Sequence, residues 1–367
     1  NFKTMDNKIA GLNFEGVGKV RALVKGPYRD IKISGVSDVD DFVFENYSIG
    51  KIKSKISYIN SKLRLKNASV LKGRTQLRGD FSLHFKKGKK TKRSALLLST
   101  DFKVSRGFVE DIQNIIPQKT KSGVMDVIKS LPLSGLINGE TQLAGNIAGG
   151  QTRSLVGKGQ FGSAQGTRLL KQKLGRWSTS FTLDKTQFHL ERFQGSMANG
   201  TIKTQLKIQR KEGTIKGDIQ MAGLRVAQLD INDELPYGLF GELGFQGSLV
   251  GDASNPNVNG QAQWKGAGFG PMRFGGLDWA VQVADKAMSF EGGLWENKGR
   301  MQTRLHLNRP FEFETKISAK GGQLDKVIWP AAWLPDKWGL SSNGLDASWA
   351  GNIKNIEKTK GKLSISK

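Results

Sequence analysis

The chain has 367 residues and carries 57 Lys and Arg against 32 Asp and Glu, a formal charge of +25 at pH 7. Its lack of cysteine excludes disulfide bonds, thiolate catalysis and cysteine-ligated metals. The 46 glycines and 9 prolines, with 37% apolar residues, predict an all-β protein with many short strands, and the basic charge favours an anionic partner.

The first residues of the chain do not have the sequence of a targeting segment. The first residues, NFKTMDNKIAG, match neither a signal peptide nor a membrane anchor, and no run of about 18 apolar residues follows. Because the chain begins without Met and stops within the strand-like GKLSISK, we expect it to be a segment of a longer protein.

The first clear strand is TQLRGDFSLHF, in which every second residue is apolar or small. This alternation predicts a strand with one apolar and one polar face, the apolar face comprising Leu77, Phe81, Leu83 and Phe85.

A basic run, KKGKKTKR, follows this strand, and a solvated hairpin loop is its favoured interpretation. Nucleic acid is not an expected partner, because no aromatic residues for base stacking interrupt the run. The alternative is contact with anionic headgroups or a membrane surface through Lys86, Lys87, Lys89, Lys90, Lys92 and Arg93.

Helical patterns are few and short. GFVEDIQNIIPQ at 107–118 has apolar residues at helical spacing and ends near a proline, and QLDKVIWP at 323–330 also ends at one. GLRVAQLDINDELP, at 223–236, occupies the equivalent place between them. We therefore predict a few short helices, each followed by a Leu-Pro pair.

A repeat of about one hundred residues organises the chain. The Leu-Pro pairs begin at Leu131, Leu235 and Leu334, and the similar segments LAGNI, FQGSL and WAGNI follow them. The predicted units are a degenerate first unit at 1–130, complete units at 131–234 and 235–333, and the start of a fourth at 334–367. A tight turn into the third unit is predicted at Gly238, Gly241 and Gly244.

Strict alternation continues through the later units and favours antiparallel strands. The residues predicted to share the apolar face there are Ile202, Leu206, Ile208, Leu243, Phe245, Leu249, Leu277, Trp279, Val281, Val283, Met301, Leu305, Leu307, Phe311, Phe313 and Ile317.

This apolar face must be covered, and three short helices are too few to cover it. A closed barrel gives no reason for a repeat, so the pattern predicts an elongated sheet folded lengthwise into an open, U-shaped trough. An open apolar groove needs a ligand, and acyl chains fit because they bring apolar area and need no polar partners. The alternative is that the two walls interdigitate into a dry core, which accounts for the alternation equally well.

The stretch from Phe245 to Leu307 resembles the TamB and AsmA-like superfamily of bacterial envelope proteins. It shares their Gly-x-apolar-x-Gly segments, a turn with Asn255-Pro256, a strand opened by Gly260, and Gly299 before another strand. The same loose repeat signature recurs through most of the chain and is weakest before residue 40 and in the Lys-rich run.

The resemblance implies a taco-shaped β-sheet whose apolar trough carries phospholipid across the periplasm, between the inner and outer membranes of a Gram-negative-type bacterium. It also implies an N-terminal helix that anchors the protein in the inner membrane, which we expect to precede this segment. It implies no catalytic residues and no cofactor.

We therefore expect a lipid-transfer segment without enzymatic activity. The alternative is an envelope assembly scaffold whose sheet edges pair with other strands, with an outer-membrane β-barrel protein as partner. A third hypothesis is a basic, polymer-binding solenoid with a closed core.

Two motifs of other chemistry are set aside. GKGQFG at 157–162 matches G-x-G-x-x-G, but the residues after it lack a capped helix, so we interpret it as a glycine-rich strand edge. SDVDD at 37–41 lacks the glycine and distal glutamate of a calcium-binding loop and is interpreted as a turn.

The histidines and tryptophans indicate a functional site no more strongly than these two motifs do. The three histidines lie singly in strands and are not expected to bind metal: His84, His189 and His306. Three tryptophans of the third Leu-Pro region are predicted to pack beneath the helix between units, with capping of the trough or of the passage between units as the alternative: Trp329, Trp333 and Trp338.

Overall fold

Nearly all of the described chain is β-strand, which confirms the all-β prediction. The structure is a computed structural model, and it describes residues 14–27, 30–44, 46–86, 95–116, 129, 132–147, 154–169, 172–234, 238–253, 255–269, 272–294, 299–307, 312–323, 341–352 and 360–366. These residues form 21 strands of one sheet, one α-helix and two 3₁₀ turns.

Most of the described strands are 10–15 residues long, so the expectation of short strands from the composition is wrong, and they follow one another closely along the chain. They are β1 Phe14–Lys25, β2 Lys32–Phe44, β3 Tyr47–Ile59, β4 Lys62–Lys72, β5 Thr75–Lys86, β6 Ala95–Phe108, β7 Leu133–Asn146, β8 Val156–Ser163, β9 Thr167–Leu169, β10 Gln172–Leu183 and β11 Gln187–Met197. They continue as β12 Gly200–Gln209, β13 Thr214–Arg225, β14 Leu239–Asp252, β15 Asn255–Phe269, β16 Met272–Ala284, β17 Ala287–Leu294, β18 Gly299–His306, β19 Glu312–Gln323, β20 Ser341–Asn352 and β21 Lys360–Ser366. The helix α1 is Val109–Gln113, and the 3₁₀ turns are Val226–Gln228 and Asp230–Glu234.

Packing divides the chain into two compact units. Unit 1 comprises Asn1–Gln194 with Lys207–Gly213, and unit 2 comprises Gly195–Leu206 with Thr214–Lys367. In unit 1, β1 to β8 pair as antiparallel neighbours in chain order, β10 lies beside β8, and the short β9 pairs with β7 and β10. In unit 2, β13 to β21 pair in chain order. The repeat boundaries predicted from the sequence stay predictions.

Two-residue turns close three of the hairpins. In each, both turn residues have a positive φ, which matches the turn to the right-handed twist of the flanking strands. These turns are Asn60-Ser61, Ala198-Asn199 and Asp285-Lys286.

The helix α1 is shorter than predicted, because its expected first turn belongs to β6. Phe108 is extended, with φ −121° and ψ 133°. Its N–H donates to the hydroxyl of Thr75 at 2.8 Å, and Phe108 pairs with Leu136 of β7. This tertiary hydrogen bond therefore overrides the helical spacing of the apolar residues.

A carboxylate fastens α1 to the turn between β4 and β5. Asp111 Oδ2 accepts hydrogen bonds from the backbone N–H of Arg74 at 2.8 Å and from the hydroxyl of Thr75 at 2.9 Å. Thr75 is fully buried, and the Arg74 guanidinium lies 3.6 Å from the centroid of the Phe108 ring.

Replacing Asp111 by alanine is expected to lower the free energy of unfolding by about 1–3 kcal/mol. The buried Thr75 hydroxyl loses its 2.9 Å acceptor and keeps only the Phe108 carbonyl at 3.5 Å, and the N–H of Arg74 loses its acceptor. Chemical denaturation measures this loss. Asp101→Ala is the control, since Asp101 is exposed and receives a surface hydrogen bond from Gln142; its loss is expected to stay below about 0.5 kcal/mol. An equal loss in both variants would contradict the role given to Asp111.

Three local predictions from the sequence are wrong. SDVDD lies within β2 rather than in a turn, and its carboxylates pair with lysines of β3: Asp40 with Lys51 at 2.7 Å, and Asp38 with Lys53 at 3.0 Å. The hydrogen bond from Lys53 lowers the pKa of Asp38. These ion pairs balance the negative charges of the two aspartates within the sheet, and the sequence pattern alone does not reveal them.

The other two concern glycines. GKGQFG is a strand, as predicted, but it lies inside the sheet as part of β8, with β7 and β10 on either side. Gly241 and Gly244 lie within β14 instead of forming a turn, and Gly241 has φ +111° at a bulge opposite Lys265 and Gly266. The positive φ explains why glycine occurs at position 241. The chain continues along β14 through the bulge and does not turn there.

The turn from β10 to β11 depends on an ionised carboxylate. Asp184 Oδ1 accepts hydrogen bonds from the Thr186 hydroxyl at 2.7 Å and from the N–H groups of Thr186 and Gln187. The Thr186 hydroxyl contributes most to lowering the pKa of Asp184 to about 2.

Because the folded pKa of Asp184 lies below its unfolded value, its contribution is present above pH 4 and is lost as the pH falls from about 4 to about 2. Since the group is exposed, we expect this contribution to be less than about 1 kcal/mol. Urea unfolding at a series of pH values, compared with Asp184→Asn, measures it. An identical acid dependence in the two proteins would contradict this assignment.

Unit 1 has a closed hydrophobic core. Its buried residues are Phe44, Leu83, Leu96, Ile147, Leu155 and Leu183, which come from strands and strand ends that are not all neighbours. The rings of Phe44 on β2 and Phe81 on β5 meet edge to face with centroids 6.0 Å apart, although β3 and β4 lie between these strands. Side chains of separate strands therefore cover one another in this unit.

Some predicted features lie outside the described residues. These are the helix at 323–330 beyond Gln323, which ends β19, the Leu-Pro residues Leu131, Leu235, Pro236, Leu334 and Pro335, and the tryptophans Trp329, Trp333 and Trp338.

Candidate lipid-binding face

The strand register of unit 2 brings the predicted apolar residues together in rows that cross the strands. Directly opposed residues of antiparallel strands lie on the same face of a sheet. One row is Met221, Phe245, Ala262, Trp279, Gly292, Met301, Ile317 and Ala347. A second row is Leu249, Val258, Val283, Met288, Leu305 and Phe313. These rows, with Leu224, Leu243, Trp264, Leu277, Val281 and Phe290, are the apolar face of unit 2.

The exposure of the side chains alternates as the sequence predicts. Along β18, Arg300, Gln302 and Arg304 are exposed, whereas Met301 and Leu305 are half-buried. The opposite face of the same strands is therefore polar and in contact with solvent.

Aromatic rings lie over glycines on the apolar face of unit 2. Gly247 and Gly260 oppose each other on β14 and β15, and a Cβ atom on either would lie 2.6–2.7 Å from Cζ of Phe245. Trp279 covers Gly292 of the next strand in the same way. Because the glycines have no side chains, these rings fill the space above the sheet.

Placing a side chain beneath Phe245 should be costly. Gly260→Val is expected to lower the free energy of unfolding by about 1–3 kcal/mol, because the new methyl groups collide with the ring or displace it. Gly276→Val is the control, since a Cβ there meets no atom within 4 Å. Denaturation of both variants measures the difference, and comparable losses would contradict this packing.

Part of the apolar face forms a small cluster. Ala267 and Leu277 are buried, and Trp264, Trp279, Met301 and Ile317 pack against them. The Trp264 indole N–H donates to the backbone carbonyl of Phe240 at 2.9 Å, which fixes its ring. The Trp264 and Trp279 rings meet edge to face, with centroids 6.1 Å apart.

Much of the rest of the apolar face is half-buried, although Leu224, Ala262 and Val281 are buried. Phe245, Val283, Leu305 and Phe313 all keep part of their surface exposed. Among the described residues of unit 2, the closest packing joins neighbouring strands, and the 3₁₀ turn at Val226–Gln228 packs on β14. In the described part of this unit, several apolar side chains therefore remain partly exposed.

Sequence reasoning missed several apolar residues of this face: Met221, Leu224, Val258, Trp264, Met288 and Phe290. The signal was present, because Ala262 and Trp264 alternate with polar residues in QAQW, and Met288 and Phe290 do so in AMSF. Their strands lay between glycine-rich segments, which obscured the pattern.

The place of Leu307 on the apolar face stays a prediction. The strand β18 ends at His306, and Leu307 is 38% exposed just beyond it. Its neighbour in the prediction, Phe311, lies outside the described residues. On β12, Ile202 and Ile208 are buried and Leu206 is half-buried, in agreement with the predicted alternation.

The residues predicted for the apolar face of β5 belong to the closed core of unit 1. Leu83 is fully buried, and Phe81 and Phe85 pack on the same cluster. Leu77 packs on a second cluster, around Val39, Ile52, Ala68 and Val70. This arrangement favours the dry-core alternative for that part of the sheet.

Only one residue of the predicted basic contact surface is described. Lys86 is exposed at the end of β5, whereas Lys87, Lys89, Lys90, Lys92 and Arg93 lie outside the described residues.

Chemical sites were sought as well. In the described residues, no cluster of three or more His, Asp or Glu side chains has a geometry suited to a metal ion. Among the same residues, no helix is long and apolar enough to cross a membrane.

Comparisons with protein-family models, curated proteins and solved structures gave one answer. None of them matches this chain. The resemblance to the TamB and AsmA-like superfamily therefore stays a prediction from the sequence, and the apolar face of unit 2 is the main feature from which function can be argued.

Proposed function

We propose that this protein is a lipid-transfer segment that binds the acyl chains of phospholipid on the apolar face of unit 2. The proposal includes an open, taco-like trough, guidance of lipid between the inner and outer membranes, and a location in the periplasm. The inner-membrane anchor expected from the sequence belongs to the same proposal, and no enzymatic step does.

The observation that carries this proposal is the half-buried apolar face itself. It crosses the paired strands from β13 to β20 without a charged residue in either of its two rows. A contiguous apolar surface whose side chains stay partly exposed is a candidate binding site.

The size of the face suits an acyl chain. Seven strand spacings of about 4.8 Å extend it over about 34 Å, more than the length of one extended acyl chain. Each methylene group buried there contributes about 0.8 kcal/mol. Since acyl chains carry no polar groups, a face made of Phe, Trp, Met, Leu and Val side chains can bind them without hydrogen bonds.

Lipid analysis of the purified 367-residue protein tests the proposal. After expression in a Gram-negative bacterium and purification without detergent, extraction and mass spectrometry are expected to recover phospholipid in a fixed molar ratio. An unrelated periplasmic β-protein purified in parallel is the control. Recovery of no more phospholipid than from that control would contradict the proposal.

A second candidate function is supported by the edge strand β1. Among the described residues, β1 pairs only with β2, and Val17, Leu23 and Val24 on it are more than half exposed. An unpaired apolar edge is a surface to which another strand can add. This favours the scaffold alternative, in which an outer-membrane β-barrel protein or its nascent chain pairs with the sheet.

Photocrosslinking in cells separates the two candidates. A crosslinker at Val17 or Leu23 is expected to capture a protein if β1 receives a strand, whereas one at Val250, an exposed apolar residue within β14, is not. Equal capture from both places would argue against strand addition at β1.

A further inference from the structure

A polar cleft of about 900 Å³ lies on the side of the sheet opposite the apolar face of unit 2. The polar side chains that line it on this face come from four consecutive strands, β18 to β21: Arg300, Gln302, Lys316, Ser318, Asp346, Ser348, Lys362 and Ser364. The lining contains no aromatic residue, so base or sugar stacking does not contribute to recognition there.

Strand register aligns two lysines with one serine. Lys316 lies directly opposite Ser348, and Ser348 lies directly opposite Lys362. The two lysine Cα atoms are therefore two strand spacings apart, about 10 Å. Lysine side chains are long enough for both ammonium groups to reach a ligand above the Ser348 hydroxyl.

Charge in the cleft is unbalanced. Arg300 is neutralised by an ion pair with Glu291. In the described residues, neither Lys316 nor Lys362 has a carboxylate within ion-pair distance, and Asp346 is the one acidic residue in the lining. Two lysines against one aspartate leave a net charge of +1 for a ligand to balance.

We propose that the polar cleft binds a phosphate group, held by the Lys316 and Lys362 ammonium groups and the Ser348 hydroxyl. Phosphate suits this arrangement because its tetrahedral oxygens accept hydrogen bonds from both sides and from below, whereas the two oxygens of a carboxylate lie in one plane. The phosphate belongs either to a small soluble phosphate compound or to a lipid headgroup. The site lies on the other face of the sheet and does not depend on acyl-chain binding.

Calorimetric titration of the full chain with inorganic phosphate, at constant ionic strength, tests the site. Lys316→Gln and Lys362→Gln are each expected to weaken binding by about three- to fivefold, the loss of one exposed charge-assisted contact. Lys216→Gln is the matched control, since it removes the same charge from an exposed position of β13. That variant is expected to bind phosphate like the unchanged protein.

Flotation with phosphatidylglycerol vesicles distinguishes the two sources of phosphate. Vesicle binding that needs Lys316 and Lys362, and that inorganic phosphate competes away, assigns the cleft to a headgroup. Lysine-dependent binding of inorganic phosphate without such vesicle binding assigns it to a soluble phosphate compound. The proposal is overturned if neither probe depends on these two lysines more than on Lys216.

Discussion

Leu83→Ala is expected to lower the free energy of unfolding by about 3–5 kcal/mol, the largest stability change that the structure predicts. Leu83 on β5 is fully buried, and Leu63 and Leu98 oppose it on the neighbouring strands. Truncation removes apolar contacts and leaves a cavity that a closed cluster cannot fill by a small shift.

Chemical denaturation followed by circular dichroism measures this change. Leu71→Ala is the matched control, because Leu71 is also a β-strand leucine of unit 1 but is 48% exposed. Its loss should stay below about 1 kcal/mol. A loss for Leu83→Ala as small as that of the control would mean that unit 1 has no closed core at this position.

Leu305→Glu is expected to reduce the phospholipid recovered with the protein by at least about tenfold while the fold is retained. The new carboxylate would lie between Met288 and Phe313 on the apolar face of unit 2, where an acyl chain would have to bury it without a partner. In the lipid-free protein the same carboxylate reaches water, because Leu305 is only half-buried.

Arg304→Gln is the matched control for this substitution. It changes the net charge by the same amount one residue away, on the exposed face of β18. Lipid recovery by mass spectrometry and thermal unfolding are measured for both variants. Retention of lipid by Leu305→Glu would contradict the proposed face, and unfolding of this variant alone would favour a dry core in unit 2 as well.

Alternation in the sequence was enough to predict the strands and their faces. Met301, Leu305, Phe313 and Ile317 lie on the face where the pattern put them, because the two-residue period of a strand is a local property. The pattern does not mark where β18 ends, so the place of Leu307, just beyond His306, stays a prediction.

The sequence does not predict features that depend on the register between strands. The ring of Phe245 covers Gly260 because β14 and β15 align Gly247 with Gly260, and no local pattern gives that alignment. The polar cleft likewise depends on the positions of Lys316 and Lys362 relative to Ser348 on three strands.

The contrast between closed and open parts of the sheet was also unpredictable. Leu83 and Leu305 occur in equally alternating strands, yet one is fully buried and the other is half-buried. The difference arises from Phe44 and other residues distant in the sequence that cover Leu83. The dry-core hypothesis therefore describes part of unit 1, and the groove stays a proposal for unit 2.

Neighbouring residues with opposite orientation offer the most direct test of acyl-chain binding. Phe313 and Glu314 are adjacent on β19, the first half-buried on the apolar face and the second exposed. A photoactivatable phenylalanine analogue at Phe313 is expected to crosslink phospholipid in cells, whereas the same analogue at Glu314 should give no lipid adduct. Equal lipid crosslinking at the two positions, or none at Phe313, would contradict the proposal that this face carries lipid.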